Sequence, residues 1–476
     1  MSKPESTSSD MIATDALKQV TRNRPAPSLQ EIYAEDAKKP PAHMRKESYR
    51  PMGNDDISIE RYFSKAWHDQ EVESVWRKTW QFACRVEDIP NVGDHIVYNI
   101  VHDSLIVVRT SDSEIRAYIN ACLHRGTMLR KEGGCVKQFR CPFHGFTWAL
   151  DGSLSEIPGE WDFEHINKSE FGLPEARVDT WAGFVFVNFD HGCESLESYL
   201  EILPDHFKSF DLENRYKAHH IAKVMPCNWK LCQEAFMEAY HVPYAHPQSL
   251  PYYGDSNTQY DTFSGVRHIN RMISAQGVPS PSLPDIDPEK TRSLMERDTP
   301  FYKDDSETLD GESPRERFAR IAREKIGKSV GKDLSAVSDS ESIDLIQYSV
   351  FPNFVPYGGL GLSIGYRFRP LGDDPERSIM EIYFLFPKAE DGSHPPPGEI
   401  VWLDEEEPWQ SVKAMGSAAM LVDQDTDNLK RIQKGLRTTR KPGVTLATYQ
   451  ESRIRHFNET LDAYMGSQQT RPENSQ

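Results

Sequence analysis

The chain has 476 residues, of which 38% are hydrophobic and 27% charged, and its formal net charge is −18. That length accommodates two or three ordinary domains or one large enzyme. So acidic a chain is not expected to bind nucleic acid or an anionic membrane. Seven scattered cysteines do not resemble a disulfide framework, so a cysteine cluster here is expected to bind metal.

Residues 1–50 are rich in Ser, Pro, Lys and Glu, and they predict a mobile or loosely docked arm. This arm lacks the apolar core of a signal peptide, and no run in the chain reaches the ~18 apolar residues of a membrane span. We therefore expect a cytoplasmic protein with no membrane partner. Apolar and aromatic residues then recur at helical spacing, which predicts a helical lead-in over residues 51–77.

Residues 78–190 are predicted to form a small antiparallel all-β domain. The stretch VGDHIVYNIVHDSLIVVRTSDSEIRAYINAC alternates β-forming residues with Gly, Asp and Ser turn signals, and AGFVFVNFD at 182–190 is its expected last strand. Between these strands lie two short motifs, Cys-x-His at 122–124 and Cys-x-x-His at 141–144.

Each of these two motifs offers one cysteine and one histidine. Zinc fingers usually place two cysteines together and two histidines together. A two-iron cluster with mixed ligands instead needs both cysteines at one iron and both histidines at the other. The spacing therefore favours an iron–sulfur cluster bound by Cys122, His124, Cys141 and His144. A structural zinc site and simple core packing are the alternatives.

Residues 191–465 are predicted to form a larger α+β domain. Helical patterns open it, a polar and Pro-rich stretch predicts a surface excursion at about 250–340, and strand patterns return after that stretch. A long helix is expected over PWQSVKAMGSAAMLVDQDTDNLKRIQKGL, and residues 466–476 form a tail.

A second histidine motif lies in this larger domain, in NWKLCQEAFMEAYHVPYAHP. Glu238 and His241 are three residues apart, and Pro243 is expected to break the helix so that His246 turns back towards His241. Two imidazoles that converge in this way can bind one metal ion. A pair of ordinary interfacial histidines is the alternative.

Both motifs resemble those of one family. C-x-H-R-G…C-P-F-H-G-F-x-W resembles the Rieske [2Fe–2S] fingerprint, and N-W-K followed by E-x-x-H-x4-H resembles the catalytic motif of Rieske non-haem iron ring-hydroxylating oxygenases, in their alpha (catalytic) subunit. The resemblance covers roughly residues 55–465. It implies an α+β fold with a Rieske domain, a curved antiparallel sheet that wraps a long helix, a [2Fe–2S] cluster and a mononuclear Fe(II).

The resemblance also implies the iron ligands. His241 and His246 would bind the iron together with one carboxylate from a distant helix. Asp425, in the acidic stretch VDQDTDNLKRIQKGL, is the expected third ligand. Asp423 and Asp427 in the same stretch compete for that assignment.

One position departs from the usual family motif. Glu238 stands where the family normally has an Asp that bridges the cluster and the iron, and it resembles in this the relatives that act on quaternary ammonium compounds. The substrate class is therefore open. An apolar, aromatic-rich pocket is expected from the residues near the ligands, although ordinary core packing explains them equally well: Phe236, Met237, Tyr240, Tyr348, Phe351, Asn353 and Phe354.

The chain has no flavin or nicotinamide fingerprint, because GGLGLSIG at 358–365 lacks the required spacing and setting. We therefore expect electrons from a separate NAD(P)H reductase, directly or through a ferredoxin. The expected reaction is hydroxylation of an apolar aromatic or alicyclic substrate with O2. The resemblance implies a homotrimer, with or without a β-subunit, in which one subunit's cluster lies beside the next subunit's iron.

Three other functions remain open from the sequence. The same scaffold could carry out oxidative demethylation or cleavage of an amine, a quaternary ammonium or a methoxy compound, which calls for an aromatic or acidic cage around a cation. The chain could instead be an electron-transfer protein whose second domain binds no metal, or a zinc-stabilised binding protein. O2 uptake across an aromatic panel and an amine panel tests the first of these functions, and iron content and colour test the other two.

Overall fold

The computed structural model describes residues 8–283, 286–304, 308–360 and 362–466, with side chains from Asp15 onward. The first seven residues of the expected arm and the expected tail beyond Gly466 therefore lie outside the described residues. No described helix is both long enough and apolar enough to span a bilayer. The arm contains α1 (Ser8–Thr21) and α2 (Leu29–Glu35), and the lead-in contains β1 (Ile57–Ser58) and α3 (Lys65–Glu71).

The first domain is built from antiparallel strands, as its alternating sequence predicts. Its strands are β2 (Gln81–Arg85), β3 (Asp94–Ile100), β4 (Asp103–Ser111), β5 (Glu114–Ile119), β6 (Gly134–Cys135), β7 (Gln138–Arg140), β8 (Thr147–Ala149), β9 (Leu154–Glu156), β10 (Glu175–Trp181) and β11 (Phe184–Asn188). They form a seven-stranded sheet in the order β2-β11-β10-β5-β4-β3-β6 and a three-stranded sheet, β7-β8-β9.

The second domain surrounds an eight-stranded sheet in the order β13-β14-β15-β16-β17-β18-β12-β19. Its strands are β12 (Arg215–Met225), β13 (Tyr253–Asp261), β14 (Ile269–Gln276), β15 (Leu345–Val350), β16 (Phe354–Gly358), β17 (Ile364–Leu371), β18 (Asp374–Pro387) and β19 (Ile400–Leu403), while β20 (Gly443–Val444) pairs with β1. Its helices are α4 (Leu196–Leu200), α5 (Leu203–His206), α6 (Trp229–Glu234), α7 (Val242–Ala245), α8 (Pro288–Asp298), α9 (Pro314–Val330), α10 (Asp339–Ile343), α11 (Ala418–Thr438) and α12 (Ser452–Met465). This arrangement confirms the predicted α+β class.

Both faces of the eight-stranded sheet are covered. Successive side chains of each strand point to opposite faces, and each face packs against other elements. On one face the Phe354 ring lies 4.8 Å from the rings of Phe82 and Phe184, which belong to β2 and β11 of the first domain. On the other face the Tyr366 ring lies 5.0 Å from Phe236, which follows α6. The sheet therefore stands between β2 and β11 on one side and α6 and α11 on the other.

The two domains are joined by a buried charged network. Arg367 forms a bidentate ion pair with Glu381, with both distances 2.7 Å, and also donates hydrogen bonds to the backbone oxygens of Phe82 and Ala83. Arg369 donates to the same carboxylate at 3.0 Å. These cations hold the pKa of Glu381 well below its usual value against the opposing effect of burial. The network fixes the position of β2 on the catalytic sheet.

In its described residues the N-terminal arm is docked more firmly than the mobile or loosely docked segment expected over residues 1–50. Leu29, Tyr33 and Met44 are buried in the core that contains β2 and β11. Asp36 forms a bidentate ion pair with Arg315 of α9, at 2.6 and 2.9 Å. A few well-spaced apolar residues and one buried ion pair therefore dock a segment whose overall composition is polar.

The expected surface excursion at about 250–340 is wrong in its first part. Strands β13 and β14 lie in that range and are almost wholly buried in the sheet. Their polar side chains satisfy one another: the Thr258 hydroxyl bonds Ser274 at 2.9 Å, and Arg271 donates to Asp261 at 2.7 Å. Polar groups that hydrogen-bond to one another can be buried at little cost. The polar composition of β13 therefore does not predict that the strand is exposed. The excursion proper contains α8, α9 and α10.

Candidate metal centres

The first candidate centre lies on two neighbouring loops of the all-β domain. Each loop is closed by its cysteine: the Cys122 N–H donates to the Thr127 oxygen at 2.8 Å, and the Cys141 N–H donates to the Phe146 oxygen at 2.8 Å. The two buried thiols contact each other. On the same two loops, the rings of His124 and His144 lie 4.7 Å apart. The four residues named from the sequence are thus brought together.

The donor set and its surroundings fit a mixed-ligand cluster. Both cysteines are buried in a hydrophobic cluster with Phe146 and Trp148. His144 is exposed, and 58% of the neighbouring Phe143 is accessible. Two thiols at the buried end and two imidazoles at the outer end match the two irons of a Rieske centre, one with sulfur and one with nitrogen ligands.

The second candidate centre begins where α6 ends, at Glu234. The chain then runs through turns, and a new short helix starts at Val242 with Pro243 in its first turn. The expectation that Pro243 breaks a continuous helix is wrong, because a proline near a helix start lacks only an N–H that would be unpaired anyway. The backbone N–H of His246 donates to the Val242 oxygen at 2.8 Å and closes the turn.

Three side chains converge in this region. The Nε2 atom of His246 lies 2.8 Å from Oδ1 of Asp425, and Nε2 of His241 lies 3.4 Å from the same oxygen. One ligand atom from each residue lies within 4.8 Å of the other two. Two imidazole nitrogens and one carboxylate form the donor set of non-haem Fe(II) oxygenases, so these residues fit the expected ion.

Further hydrogen bonds orient both histidines. The Nδ1 atom of His241 lies 2.7 Å from Oε1 of Glu238, whose other oxygen accepts the backbone N–H of His241 at 2.9 Å. Nδ1 of His246 lies 2.8 Å from Oε1 of Gln424. These acceptors hold a proton on each Nδ1, so that Nε2 is the nitrogen of each ring that can bind a metal ion. Gln424 was missed from the sequence; its position next to Asp425 was the available signal.

The electrostatics of the site favour a cation. Burial opposes the charged form of His241, but hydrogen bonds to Asp425 and Glu238 outweigh it and raise its pKa to about 10. Burial likewise opposes ionisation of Asp425, while its contacts with His241 and His246 lower its pKa. Asp425 thus carries a negative charge that a bound metal ion would neutralise.

The two competing aspartates have other roles. Asp423 accepts the backbone N–H groups of Trp409 and Gln410, at 2.8 and 3.1 Å. It therefore stabilises a separate turn ahead of α11, which begins at Ala418 and not at the expected Pro408. Asp427 is exposed and forms an ion pair with Arg431 at 2.7 Å.

The residues expected to line the pocket occupy different environments. Phe236 lies on the α6 side of the sheet next to Tyr366, whereas Tyr240 is 53% exposed. The remaining five are buried in packing with residues of the first domain: Met237, Tyr348, Phe351, Asn353 and Phe354.

Comparison with known families identifies both domains. The family model for the ring hydroxylating alpha subunit (catalytic domain) matches residues 207–467, and the model for the Rieske [2Fe-2S] domain matches residues 79–167. The chain belongs to the ring-hydroxylating alpha-subunit family. It therefore carries a Rieske [2Fe–2S] domain and a catalytic domain of the type that binds mononuclear non-haem iron.

Individual relatives of this alpha subunit match over part of their length. The biphenyl 2,3-dioxygenase subunit alpha of Rhodococcus jostii is 33% identical over 187 residues, 38% of this chain and 41% of the relative. The carnitine monooxygenase oxygenase subunit of Acinetobacter baumannii is 28% identical over 212 residues, 44% of this chain and 56% of the relative. The chain thus spans about half the length of the curated relatives it matches.

Solved structures of similar fold cover more of the chain. Naphthalene 1,2-dioxygenase with indole in its active site aligns with a TM-score of 0.60 at 20% identity, over 88% of this chain and 93% of that one. A quaternary ammonium Rieske monooxygenase in complex with L-carnitine aligns with a TM-score of 0.59 at 17% identity, over 86% and 95%. The fold of this chain is the one these oxygenases share.

Proposed function

We propose that this chain is the terminal oxygenase component of a multicomponent Rieske oxygenase. It would use O2 and electrons from a separate NAD(P)H reductase, directly or through a ferredoxin, to hydroxylate an aromatic or alicyclic substrate. The observation that carries the proposal is the convergence of His241, His246 and Asp425, with Glu238 bonded to His241, in a chain that also has the Cys/His loops.

The residues of the site have separate tasks in this proposal. His241, His246 and Asp425 would hold Fe(II), which supplies open coordination positions for O2 and substrate. Glu238 and Gln424 hold the two imidazoles with Nε2 facing Asp425. Burial of the carboxylate excludes water from that side of the site.

In this proposal the two centres of one subunit work with those of a neighbouring subunit. The hydrophobic cluster around the Cys/His loops contains residues of the first domain alone, and its outer end carries the exposed side chains of Met128 and Phe143. Glu238 is partly exposed, and Tyr240 and Tyr244, which follow it in the chain, are 53% and 91% exposed. These two apolar surfaces support a homotrimer in which Glu238 receives a hydrogen bond from a Rieske histidine of the next subunit.

Iron content and O2 consumption test the proposal. The reconstituted protein should contain about three irons per chain, two in the cluster and one in the mononuclear site. Addition of a suitable aromatic compound with a reductase should trigger O2 uptake. About two irons per chain would favour an electron-transfer protein, and a colourless zinc protein would exclude the Rieske centre.

Two variants separate the roles of the site residues. His241→Ala should abolish substrate-dependent O2 uptake and leave the visible spectrum of the cluster unchanged. Glu238→Gln should retain both metals and slow single-turnover oxidation of the reduced protein, because it removes the negative charge of the proposed bridge. An unchanged single-turnover rate in Glu238→Gln would contradict the bridging role.

A second candidate reaction is oxidative demethylation or cleavage of an amine, a quaternary ammonium or a methoxy compound. Glu238 favours it, because glutamate in place of the family's usual aspartate resembles relatives that act on quaternary ammonium compounds. The similarity to a carnitine monooxygenase subunit is consistent with it. O2 uptake measured across an aromatic panel and an amine panel distinguishes the two reactions.

A further inference from the structure

A line of oriented hydrogen bonds crosses the face of the sheet that packs against α6. Arg453 of α12 donates to Oε1 of Gln347 at 2.6 Å, and Nε2 of Gln347 donates to the hydroxyl of Tyr357 at 2.6 Å. Because a guanidinium has donors and no acceptor, the amide oxygen of Gln347 must face Arg453. The Tyr357 oxygen therefore accepts a hydrogen bond, and its proton must be directed elsewhere.

A second tyrosine continues this line. Strand register places Gln347 opposite Tyr357 and Val355 opposite Tyr366, so the two tyrosines are diagonal neighbours on one face of the sheet. Their rings lie 5.8 Å apart, and each hydroxyl affects the pKa of the other. At most one of their two protons can lie between the two oxygens, and within the described part of the chain no other protein group accepts one. The line therefore ends in an unused O–H donor, and both side chains remain 6% exposed.

The other end of the line is a buried positive charge. Arg453 is fully buried and donates to Oδ1 of Asn270 at 2.7 Å, to the Ser349 hydroxyl at 2.7 Å and to the Met237 backbone oxygen at 3.2 Å. No carboxylate among the described residues hydrogen-bonds to it. Burial lowers its pKa to about 9, which leaves it protonated at neutral pH. A buried cation without a counter-ion favours a negative group nearby.

The free donor lies close to the candidate metal centre. The Tyr366 ring is 5.0 Å from Phe236, two residues before Glu238. Burial raises the pKa of both tyrosines, to about 12 for Tyr357, and the negative charge of Asp425 contributes to both shifts. The donor line therefore runs from Arg453 to the neighbourhood of the residues that would hold the iron.

From this geometry we propose that Tyr357 and Tyr366 bind a carboxylate of the substrate, so that the substrates of this oxygenase are aromatic carboxylates. The proposal rests on the oxygenase function proposed above and names its substrate class. The rings of Tyr357, Tyr366, Phe236 and Phe368 could also surround a quaternary ammonium group by cation–π contact. The buried positive charge of Arg453, whose hydrogen-bond partners are all neutral, opposes that occupant.

Calorimetric titration of the iron-loaded protein, with no reductase present, tests the proposal independently of turnover. The probes are matched pairs of a carboxylate and its amide: benzoate and benzamide, phenylacetate and phenylacetamide, 2-naphthoate and 2-naphthamide. At least one carboxylate should bind at least about tenfold more tightly than its amide, as expected for a hydrogen bond to a charged group. Phenyltrimethylammonium serves as the cationic probe and should bind more weakly.

Tyr366→Phe keeps the ring and removes the hydroxyl, and it should weaken the preferred carboxylate roughly 10- to 100-fold while leaving its amide little changed. Gln347→Glu should have a similar effect, because a carboxylate there would neutralise Arg453. Tyr348→Phe is the matched control, since its buried hydroxyl faces Arg271 on the other side of the sheet. The proposal is overturned if no carboxylate is preferred to its amide, if phenyltrimethylammonium binds best, or if Tyr366→Phe binds carboxylates as the native protein does. Failure of the oxygenase function would appear separately, as absence of O2 uptake with every compound.

Discussion

Replacement of Gln424 by leucine should weaken ferrous iron at the mononuclear site. Gln424 accepts a hydrogen bond from Nδ1 of His246 at 2.8 Å, and His246 is 6% exposed. Leucine has a similar size but no acceptor, so the buried imidazole N–H would lose its partner. An unpaired buried polar group costs about 1–3 kcal/mol, and loss of such an outer partner typically lowers metal affinity about 10- to 100-fold.

The affinity is measured by titrating Fe(II) into protein freed of mononuclear iron, in the presence of a competing chelator. The visible spectrum of the Rieske cluster reports whether the fold is intact. Asn428→Leu is the matched control, because its exposed amide on the same helix donates only to the Gln424 backbone oxygen. Native iron affinity in Gln424→Leu would refute the reasoning, since it would mean that packing alone orients His246.

Three further predictions concern stability and the docked arm. Burial raises the pKa of Glu234 from 4.5 to about 7. As pH rises through that interval, the native protein should therefore lose about 3 kcal/mol of unfolding free energy relative to Glu234→Gln, which urea unfolding at pH 5 and pH 8 measures. The fully buried carboxylate of Glu71 lies 2.5 Å from the Lys230 amine in the native protein. Lys230→Met leaves that carboxylate without its cation and should cost about 3–5 kcal/mol of unfolding free energy. Arg315→Leu breaks the ion pair with Asp36 and should speed proteolytic cleavage within residues 24–50.

The pH dependence from Glu234 has a definite direction, and each stability prediction has its own control. Folded protein keeps a proton on Glu234 at pH values where the unfolded chain has lost it, so stability is full below pH 4.5 and declines up to about pH 7. Equal pH dependence in Glu234→Gln would contradict this. Arg431→Met is the control for Lys230→Met, because it breaks an exposed ion pair with Asp427 and should change the free energy of unfolding by at most about 0.5 kcal/mol. Cleavage of the arm at the native rate in Arg315→Leu would show that apolar contacts suffice to dock it.

The two metal-binding motifs could be named from the sequence because local spacing carries their chemistry. Cys122 and His124, like Cys141 and His144, are held in short loops whose geometry follows from a few adjacent residues. Asp425 could be named only from its resemblance to a family pattern, since nothing local links residue 425 to residue 241. Gln424 required the three-dimensional structure, because its role depends on an imidazole 178 residues away in the sequence.

Two of the errors of sequence reading have a common physical origin in buried polar groups. Strand β13 lies within the expected surface excursion, yet it is buried in the sheet with Asp261 against Arg271. The arm is expected to be mobile or loosely docked, yet Asp36 is buried against Arg315. In both cases an ion pair offsets the free-energy cost of burying a charged side chain. The two partners come from separate segments of the chain, so the sequence pattern does not reveal the pair.

The pairing of the two ends of the chain has a consequence for biosynthesis. Ile57 in β1 pairs with Val444 in β20, Arg50 forms an ion pair with Glu459 at 2.6 Å, and Tyr449 bonds Glu47. At typical translation rates of about 5–20 residues per second, the segment around residue 50 waits roughly 20–80 s for these partners to emerge from the ribosome. Nascent protein therefore passes through a stage in which the first domain is complete while its leading segment is unprotected. Chaperones and proteases would meet the molecule in that interval.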